Sequence, residues 1–495
     1  MKRDKATLII IFFTLIGFIF HLISLTIGFQ LQFELDSSIF PDEASFLVYA
    51  QNILFGETSS LSTSYHGSLI LSSLIALLYS AFGINAFLGR LFSVILGTML
   101  IPLIYYFAKD LFNEKIGIFS AFLILISSVL RFWGVRALSD IPLTFFFTLS
   151  IYLFFKGIKK ERTIWFFAAG ISSTITFLIK FPGFLIFIII LIYFSILIFK
   201  SSFRNKRRLF FNFLVIIGIF LGTIFLLLMS QTAITYQPFL QIDRYIQGLL
   251  GDYTSFFFYI LYSLSLNTLY GIILLLILAV IFIYSLLKLN NKILLLLIWS
   301  ITYFLFFSLY GPSELYRYLL PAFPALYMLI ANFFVSLIDK NRKFFAIKNH
   351  WKNKIISIFL IVILTGFMGT EIIVGEYLVV KRANTYEGMY NSSNWLMDNV
   401  NNSTNIMAPP DSLSQLEFYT NSMYTYYSLS SANDWTSILA DIRDKNINYV
   451  VISDLQYPET QTLEICNLIH LYSSLVYNST DGPFITYIYN TTSLI

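Results

Sequence analysis

The chain has 495 residues, of which 57% are hydrophobic and 12% charged, and it is rich in phenylalanine (53) and tyrosine (32). That mixture does not make a soluble surface, so lipid is the solvent for most of the chain. The net charge of +5 does not point to nucleic acid, because lysine and arginine gather in short loops between apolar runs; one cysteine, Cys466, permits neither an intrachain disulfide nor a Cys-based metal site.

The first apolar run, 7–29, lacks a small-residue cleavage site and predicts a retained membrane span rather than a signal peptide. Further spans are predicted over 87–107, 116–130, 141–157, 164–180, 182–199, 210–230, 268–287, 293–309, 319–338 and 355–378. The apolar segment 66–82 is ambiguous by length, and charge decides it. Lysines and arginines number three in 1–5, two in 108–115, four in 156–163, five in 200–208, two in 288–292 and six in 339–354. These 22 of the 32 basic residues share one side only if 66–82 does not cross. It is therefore expected to be an interfacial or re-entrant helix in a long external segment, 30–86, which holds no lysine or arginine.

Eleven crossings then place the N-terminus in the cytoplasm and everything after about residue 379 outside the plasma membrane. Five Asn-x-Ser/Thr sequons, at Asn391, Asn401, Asn402, Asn478 and Asn490, are confined to that tail. An Asn/Ser/Thr-rich segment can match by chance, so their position is the informative part. Alternating stretches, helical over 394–400 and extended over 405–408, 447–453 and 484–489, predict a small α/β domain. The expected fold is a polytopic α-helical membrane domain, 1–380, followed by a small α/β extracytoplasmic domain, 381–495.

Ionisable residues at the membrane are costly and mark candidate sites. Asp42 and Glu43 follow Pro41 in Ile39-Phe-Pro-Asp-Glu-Ala-Ser, and Asp140 precedes Pro142 at the outer mouth of a span. Each can be read as a helix cap, since acids complement the positive end of a helix dipole. Their shared face adds a second reading, carboxylates acting as general base and as orienter of an acceptor or a divalent cation at Asp42/Asp140. Arg90, Arg131, Arg136, Lys180, Arg244 and Arg317 break the positive-inside pattern at the same face. Snorkelling toward lipid headgroups accounts for any one of them; an anionic ligand accounts for the group, with Lys180 and Arg317 best placed to grip a phosphate. His66 and Tyr316 are candidate substrate contacts, although a lone external histidine such as His66 is more often a plain interface residue.

In this order the pieces resemble the GT-C membrane glycosyltransferases, in particular the protein O-mannosyltransferase and aminoarabinose lipid A transferase branch. Pro41-Asp42-Glu43-Ala44 resembles the acidic pair of the family's first external loop. Gly89-Arg90-Leu-Phe-Ser-Val-Ile-Leu-Gly97 is similar to its Arg-x-x-Ser-x-x-x-Gly helix, and Arg136-Ala-Leu-Ser-Asp140 to its second Arg/Asp motif. Lys180-Phe-Pro-Gly183 and Arg317-Tyr-Leu-Leu-Pro-Ala-Phe-Pro324 are similar to the late Lys-x-x-Gly and Arg-Tyr-x-x-Pro-x-x-Pro elements. The likeness runs through most of 1–380. It departs at His66-Gly-Ser, where the mannosyltransferases carry His-Pro-Pro and the aminoarabinose transferases a nearby lysine. No MIR-type insert is visible, and the Trp-Trp-Asp-Tyr-Gly signature of oligosaccharyltransferases is absent.

The resemblance implies a glycosyltransferase moving a monosaccharide from a dolichyl or undecaprenyl phosphate donor to an acceptor protein, lipid or glycan outside the membrane. It implies Asp42 as catalytic base, Glu43 and Asp140 shaping the acceptor site, and Lys180 with Arg317 on the donor phosphate, aided by Arg136 and Arg90. No cofactor is required by the sequence. A transporter or lipid-glycan flippase is the rival of another class, but it calls for charges in mid-span or paired broken helices in two halves, whereas the ionisable groups here gather at one face. A non-catalytic glycan-binding protein of the same fold is not separable from an enzyme by sequence.

Overall fold

The computed structural model describes residues 2–27, 39–56, 68–200, 203–229, 269–309, 316–345, 366, 369, 386–429, 435–453, 468–469, 471–480 and 485–494. Its helices are α1 (Lys2–Ile27), α2 (Pro41–Phe55), α3 (Leu69–Phe82), α4 (Ala86–Leu111), α5 (Glu114–Ile126), α6 (Ser128–Gly134), α7 (Asp140–Lys160) and α8 (Thr163–Ile179). They continue with α9 (Leu185–Lys200), α10 (Phe203–Met229), α11 (Leu269–Leu287), α12 (Asn291–Leu309) and α13 (Phe323–Phe345). Short breaks of 3-10 helix stand at Phe181–Phe184, before α9, and at Tyr316–Ala322, before α13.

The protein is a polytopic membrane protein. Among the described residues six helices are long and apolar enough to cross a bilayer, and a seventh is added if one bent pair counts as a single span. Helices stand at every expected span but the last, 355–378, which lies outside the described residues apart from Gly366 and Gly369. Three of those places hold shorter apolar helices, Thr163–Ile179, Leu278–Leu287 and Asn291–Phe307. The expected continuous span 116–130 is instead broken, with α5 and α6 meeting at 56°. Ser127 causes the break: its Oγ caps α6 by accepting from the Leu130 N–H at 3.4 Å and bonds the Tyr327 hydroxyl at 2.8 Å, so a polar stop sits inside an apolar run. The demoted segment is α3, with 14 residues. At 1.5 Å per residue it reaches about 21 Å, short of about 30 Å of hydrocarbon.

Ring packing fills the bundle: Phe107, Phe147 and Trp299 stack in series, with centroids 6.3 and 5.8 Å apart. Ion pairs at the far end of α4 and α7, such as Lys159 with Asp110 at 3.1 Å, belong to the basic loops. The residues of interest collect at the opposite end, where the start of α2, the α6–α7 connection and the two 3-10 breaks meet.

After residue 385 the chain forms α14 (Glu387–Asn399), β1 (Asn405–Ala408), α15 (Pro410–Tyr419), β2 (Thr425–Ser428), α16 (Trp435–Asp444), β3 (Tyr449–Ser453), β4 (Ser474–Ser479) and β5 (Thr486–Asn490). The sheet order is β2-β1-β3-β5-β4, parallel through β2, β1 and β3, and antiparallel through β3, β5 and β4. Sequence reading finds the three central strands and misses β2 and β4, the two edges. Edge strands bury little, and both of these carry exposed positions along their length, so the apolar signal is weak. The sequon residues Asn391, Asn478 and Asn490 fall in α14, β4 and β5, and Asn401 and Asn402 in the α14–β1 turn.

Candidate active site

Two ionic clusters share the end of the bundle, one closed and one open. The closed one is built on Glu43. Pro41 starts α2 with its fixed φ, and Glu43, two residues later, reaches back to accept from the Phe40 N–H at 3.3 Å. The same carboxylate takes a two-pronged grip from Arg90 on α4, Nε to Oε1 at 2.5 Å and Nη2 to Oε2 at 2.8 Å. Arg136 Nη1 lies 3.7 Å from Oε2, and the Ala137 N–H donates to Oε1 at 2.8 Å. The Glu43 side chain is 0% exposed. Burial alone would push its carboxyl up; the Arg90 charge and hydrogen bonds, with Arg136 and the Ala137 amide, outweigh that and hold it below the usual carboxylate range. At Gly89 α2 packs close to α4, and a Cβ there would require the end of the Leu47 side chain to shift.

The open cluster uses the neighbouring acid. Asp42 Oδ2 accepts from Arg317 Nη2, Asp140 Oδ1 pairs with Lys180 Nζ at 2.7 Å, and Asp140 Oδ2 lies 3.9 Å from Arg317 Nε. Arg317 thus bridges two carboxylates contributed by helix starts far apart in the chain. Aromatic faces hold the cations: Arg317 lies 5.5 Å from the Trp133 ring and 5.3 Å from the Tyr318 ring, and Lys180 Nζ 4.4 Å from the same Tyr318 ring. Side-chain exposure grades inward, from Asp42 at 23% and Lys180 at 17% to Arg317 at 4% and Asp140 at 3%. The Arg317 Nη1 donors and the Tyr303 hydroxyl, both buried, have no hydrogen-bond partner among the described residues. Tyr303 connects to the cluster through Phe307, which stacks on Tyr318 at 5.6 Å.

Local sequence explains why Lys180 and Arg317 point here. Lys180 ends α8 in extended backbone, and the Phe-Pro-Gly turn follows, with the Gly183 N–H bonded to the Lys180 carbonyl at 2.9 Å. A Cβ on Gly183 would meet the Thr176 carbonyl oxygen, which is backbone and cannot yield cheaply. Gly183→Ala should therefore destabilise the protein by about 1–3 kcal/mol, read as a lowered Tm in detergent. Arg317 lies in the Tyr316–Ala322 turn, whose Pro321 carbonyl accepts from Trp299 Nε1 at 2.8 Å.

Of the residues expected from sequence, Asp42, Asp140, Lys180 and Arg317 come together. Glu43, Arg90 and Arg136 form the separate closed cluster. The expectation that Arg90 grips a donor phosphate does not fit: it is 1% exposed and commits Nε and Nη2 to Glu43. Glu43, equally enclosed, is likewise not positioned to touch an acceptor. His66 and Arg244 lie outside the described residues, as does Cys466, and the Tyr316 side chain is not described. A divalent cation at Asp42/Asp140 fits poorly, because the Arg317 guanidinium stands between the carboxylates, and no group of three His, Cys, Asp or Glu side chains among the described residues could hold a metal ion. Sequence reasoning missed Trp133, Tyr303 and Tyr318. The available signal was adjacency: Trp133 lies between Arg131 and Arg136, and Tyr318 directly follows Arg317.

The fold is that of the GT-C membrane glycosyltransferases. Residues 66–229, about a third of the chain, match the family model of dolichyl-phosphate-mannose-protein mannosyltransferases, a stretch holding Arg90, Arg136, Asp140 and Lys180 but not Asp42, Glu43 or Arg317. The chain aligns with the archaeal oligosaccharyltransferase AglB from Archaeoglobus fulgidus, solved with an inhibitory peptide and a dolichol-phosphate, at TM-score 0.64 and 13% identity, covering 98% of this chain and 74% of that one. It aligns with ArnT from Cupriavidus metallidurans bound to undecaprenyl phosphate at TM-score 0.61 and 16% identity, covering 95% and 97%. A protein of Aquifex aeolicus without an assigned role is 25% identical over 310 residues, 60% of this chain and 59% of the relative, so the match spans about three-fifths of that protein.

Proposed function

We propose that this protein transfers a monosaccharide from a polyprenyl-phosphate carrier to an acceptor at the outer face of the cell membrane. The observation that carries the reading is the open cluster: a partly exposed carboxylate, Asp42, beside a buried arginine that keeps unpartnered Nη1 donors inside the site. A carboxylate open to an acceptor and a cation with donors to spare are what a hydroxyl acceptor and a lipid phosphate require. ArnT and AglB, which share the fold, were solved with undecaprenyl phosphate and dolichol-phosphate, and this supports the same donor class here.

In the step so assigned, the acceptor oxygen forms a bond to the anomeric carbon as the bond from that carbon to the phosphate oxygen breaks. Asp42 takes the acceptor hydroxyl proton, and the lipid phosphate leaves carrying the bond electrons toward Lys180 and Arg317. Both cations rest on carboxylates in this structure, so the departing phosphate competes with Asp42 and Asp140 for them. The Arg90–Glu43–Arg136 cluster touches neither reactant; it fixes the turn that carries Asp42. The chain is read as a membrane domain over 1–380 and an external domain over 381–495.

The test is purified protein offered a panel of radiolabelled polyprenyl-phosphate sugars, with acceptor-dependent transfer and slow donor hydrolysis both counted. Activity with at least one donor is expected, and Lys180→Met should raise the donor KM about 10-fold or more through loss of one phosphate contact. Neither transfer nor hydrolysis with any donor would sink the reading.

A further inference from the structure

The turn that carries Asp42 is held from two directions, and one of the holds comes from the tail. Ile39 is fully buried, and its carbonyl lies before the first helical bond of α2, which runs from the Ala44 N–H to the Phe40 carbonyl at 2.8 Å. Being outside the helix ladder and out of solvent, that oxygen needs a donor from elsewhere. Gln415 of α15, also fully buried, supplies it through Nε2 at 2.7 Å. A buried carbonyl can only accept, so the amide orientation of Gln415 is fixed by the bond. The N–H of the same peptide unit, that of Phe40, is held by Glu43 at 3.3 Å. One peptide plane, two residues before Asp42, is thus pinned at its oxygen by the tail and at its nitrogen by α2.

Neighbouring contacts act in the same direction. Ser45 Oγ donates to Ser414 Oγ at 2.9 Å, on the next turn of α2. The Phe40 ring stands edge-on between Tyr386 of the tail, at 5.6 Å, and Trp133, at 5.8 Å. Trp133 in turn lies under Arg317, which holds Asp42.

We propose that Gln415 is a positioning residue for the transfer reaction, and that the tail, through α15, sets the geometry of the Asp42 turn rather than only covering the site. This rests on the reading of Asp42 as base, so the experiment carries two readouts. In full-length protein, Gln415→Met keeps the volume and removes the donor. With whichever polyprenyl-phosphate sugar the wild type accepts, kcat should fall about 10- to 100-fold, because a base displaced by a fraction of an ångström loses alignment. The donor KM should stay within about 2-fold, since Lys180 and Arg317 are untouched. Hydrogen exchange, read independently of activity, should quicken in a peptide covering 39–46 and stay as in the wild type over β1, β3 and β5. Tyr386→Leu, which removes the ring beside Phe40 and leaves the Gln415–Ile39 and Ser414–Ser45 bonds in place, should change both readouts in the same direction by less, and serves if Gln415→Met fails to fold. Wild-type kcat and wild-type exchange over 39–46 in both variants would overturn the proposal, as would faster exchange across the tail sheet with 39–46 unchanged. If the wild type itself uses no donor, the functional reading fails, and exchange over 39–46 still decides for or against the clamp.

Discussion

Asp42→Asn should lower kcat by about 10²- to 10⁴-fold while leaving the donor KM within a few-fold of wild type, the range expected for loss of a general base. The substitution keeps shape and leaves one amide oxygen to accept from Arg317, so the fold should hold. What it removes is the charge and the basic oxygen at the exposed rim of the cluster. Asp140→Asn makes the matching control. Asp140 is 3% exposed and lies between Lys180 and Arg317, so its replacement should act mainly on donor KM by loosening those cations. Steady-state kinetics on the two variants separates the roles; equal loss of kcat in both, or transfer unaffected in Asp42→Asn, would remove Asp42 from the base role.

Glu43→Gln should be the most destabilising single change at this end of the bundle. Glu43 is enclosed with Arg90 and Arg136, and a neutral amide leaves two buried guanidiniums without their counter-charge, at a cost of about 3–5 kcal/mol. Adding Arg90→Met should recover part of the loss, because it removes one of the stranded charges. The pH dependence follows from the lowered carboxyl. A group held below its unfolded value contributes fully above the ordinary carboxylate pKa, about 4.3, and loses that contribution as pH falls through the folded value. The gap in Tm between wild type and Glu43→Gln should therefore be flat above about pH 5 and narrow below about pH 4. A gap independent of pH, or a variant as stable as wild type, would show that the charge cluster carries no stability.

Much of this arrangement is legible in the residues alone. Apolar runs locate the helices, because backbone polar groups in lipid must be satisfied within the segment, and that rule leaves a long, periodic trace. The reading of 66–82 as interfacial rests on loop charge, because α3 shares its short apolar length with helices at expected spans, such as Thr163–Ile179. The motif residues Asp42, Asp140, Lys180 and Arg317 stand out because charge at a membrane is rare. The break inside 116–130 is not legible, since Ser127 looks like one more tolerated polar residue until Tyr327, 200 positions away, meets its hydroxyl.

The division between Asp42 and Glu43 marks the limit most clearly. Composition, spacing and the order of motifs determine that this is a polytopic membrane chain with an acidic pair after Pro41 and cations at the same face. Adjacent residues on a helix project about 100° apart, so one of the pair turns inward to Arg90 and Arg136 while the other turns to Arg317 and the opening. Which acid does which depends on what α4, the α6–α7 connection and the Arg317 turn bring to each side. That is a matter of packing between segments up to 275 positions apart. The tertiary structure alone decided it, and it likewise decided that Gln415, with nothing in its local sequence to mark it, holds the peptide that starts the Asp42 turn.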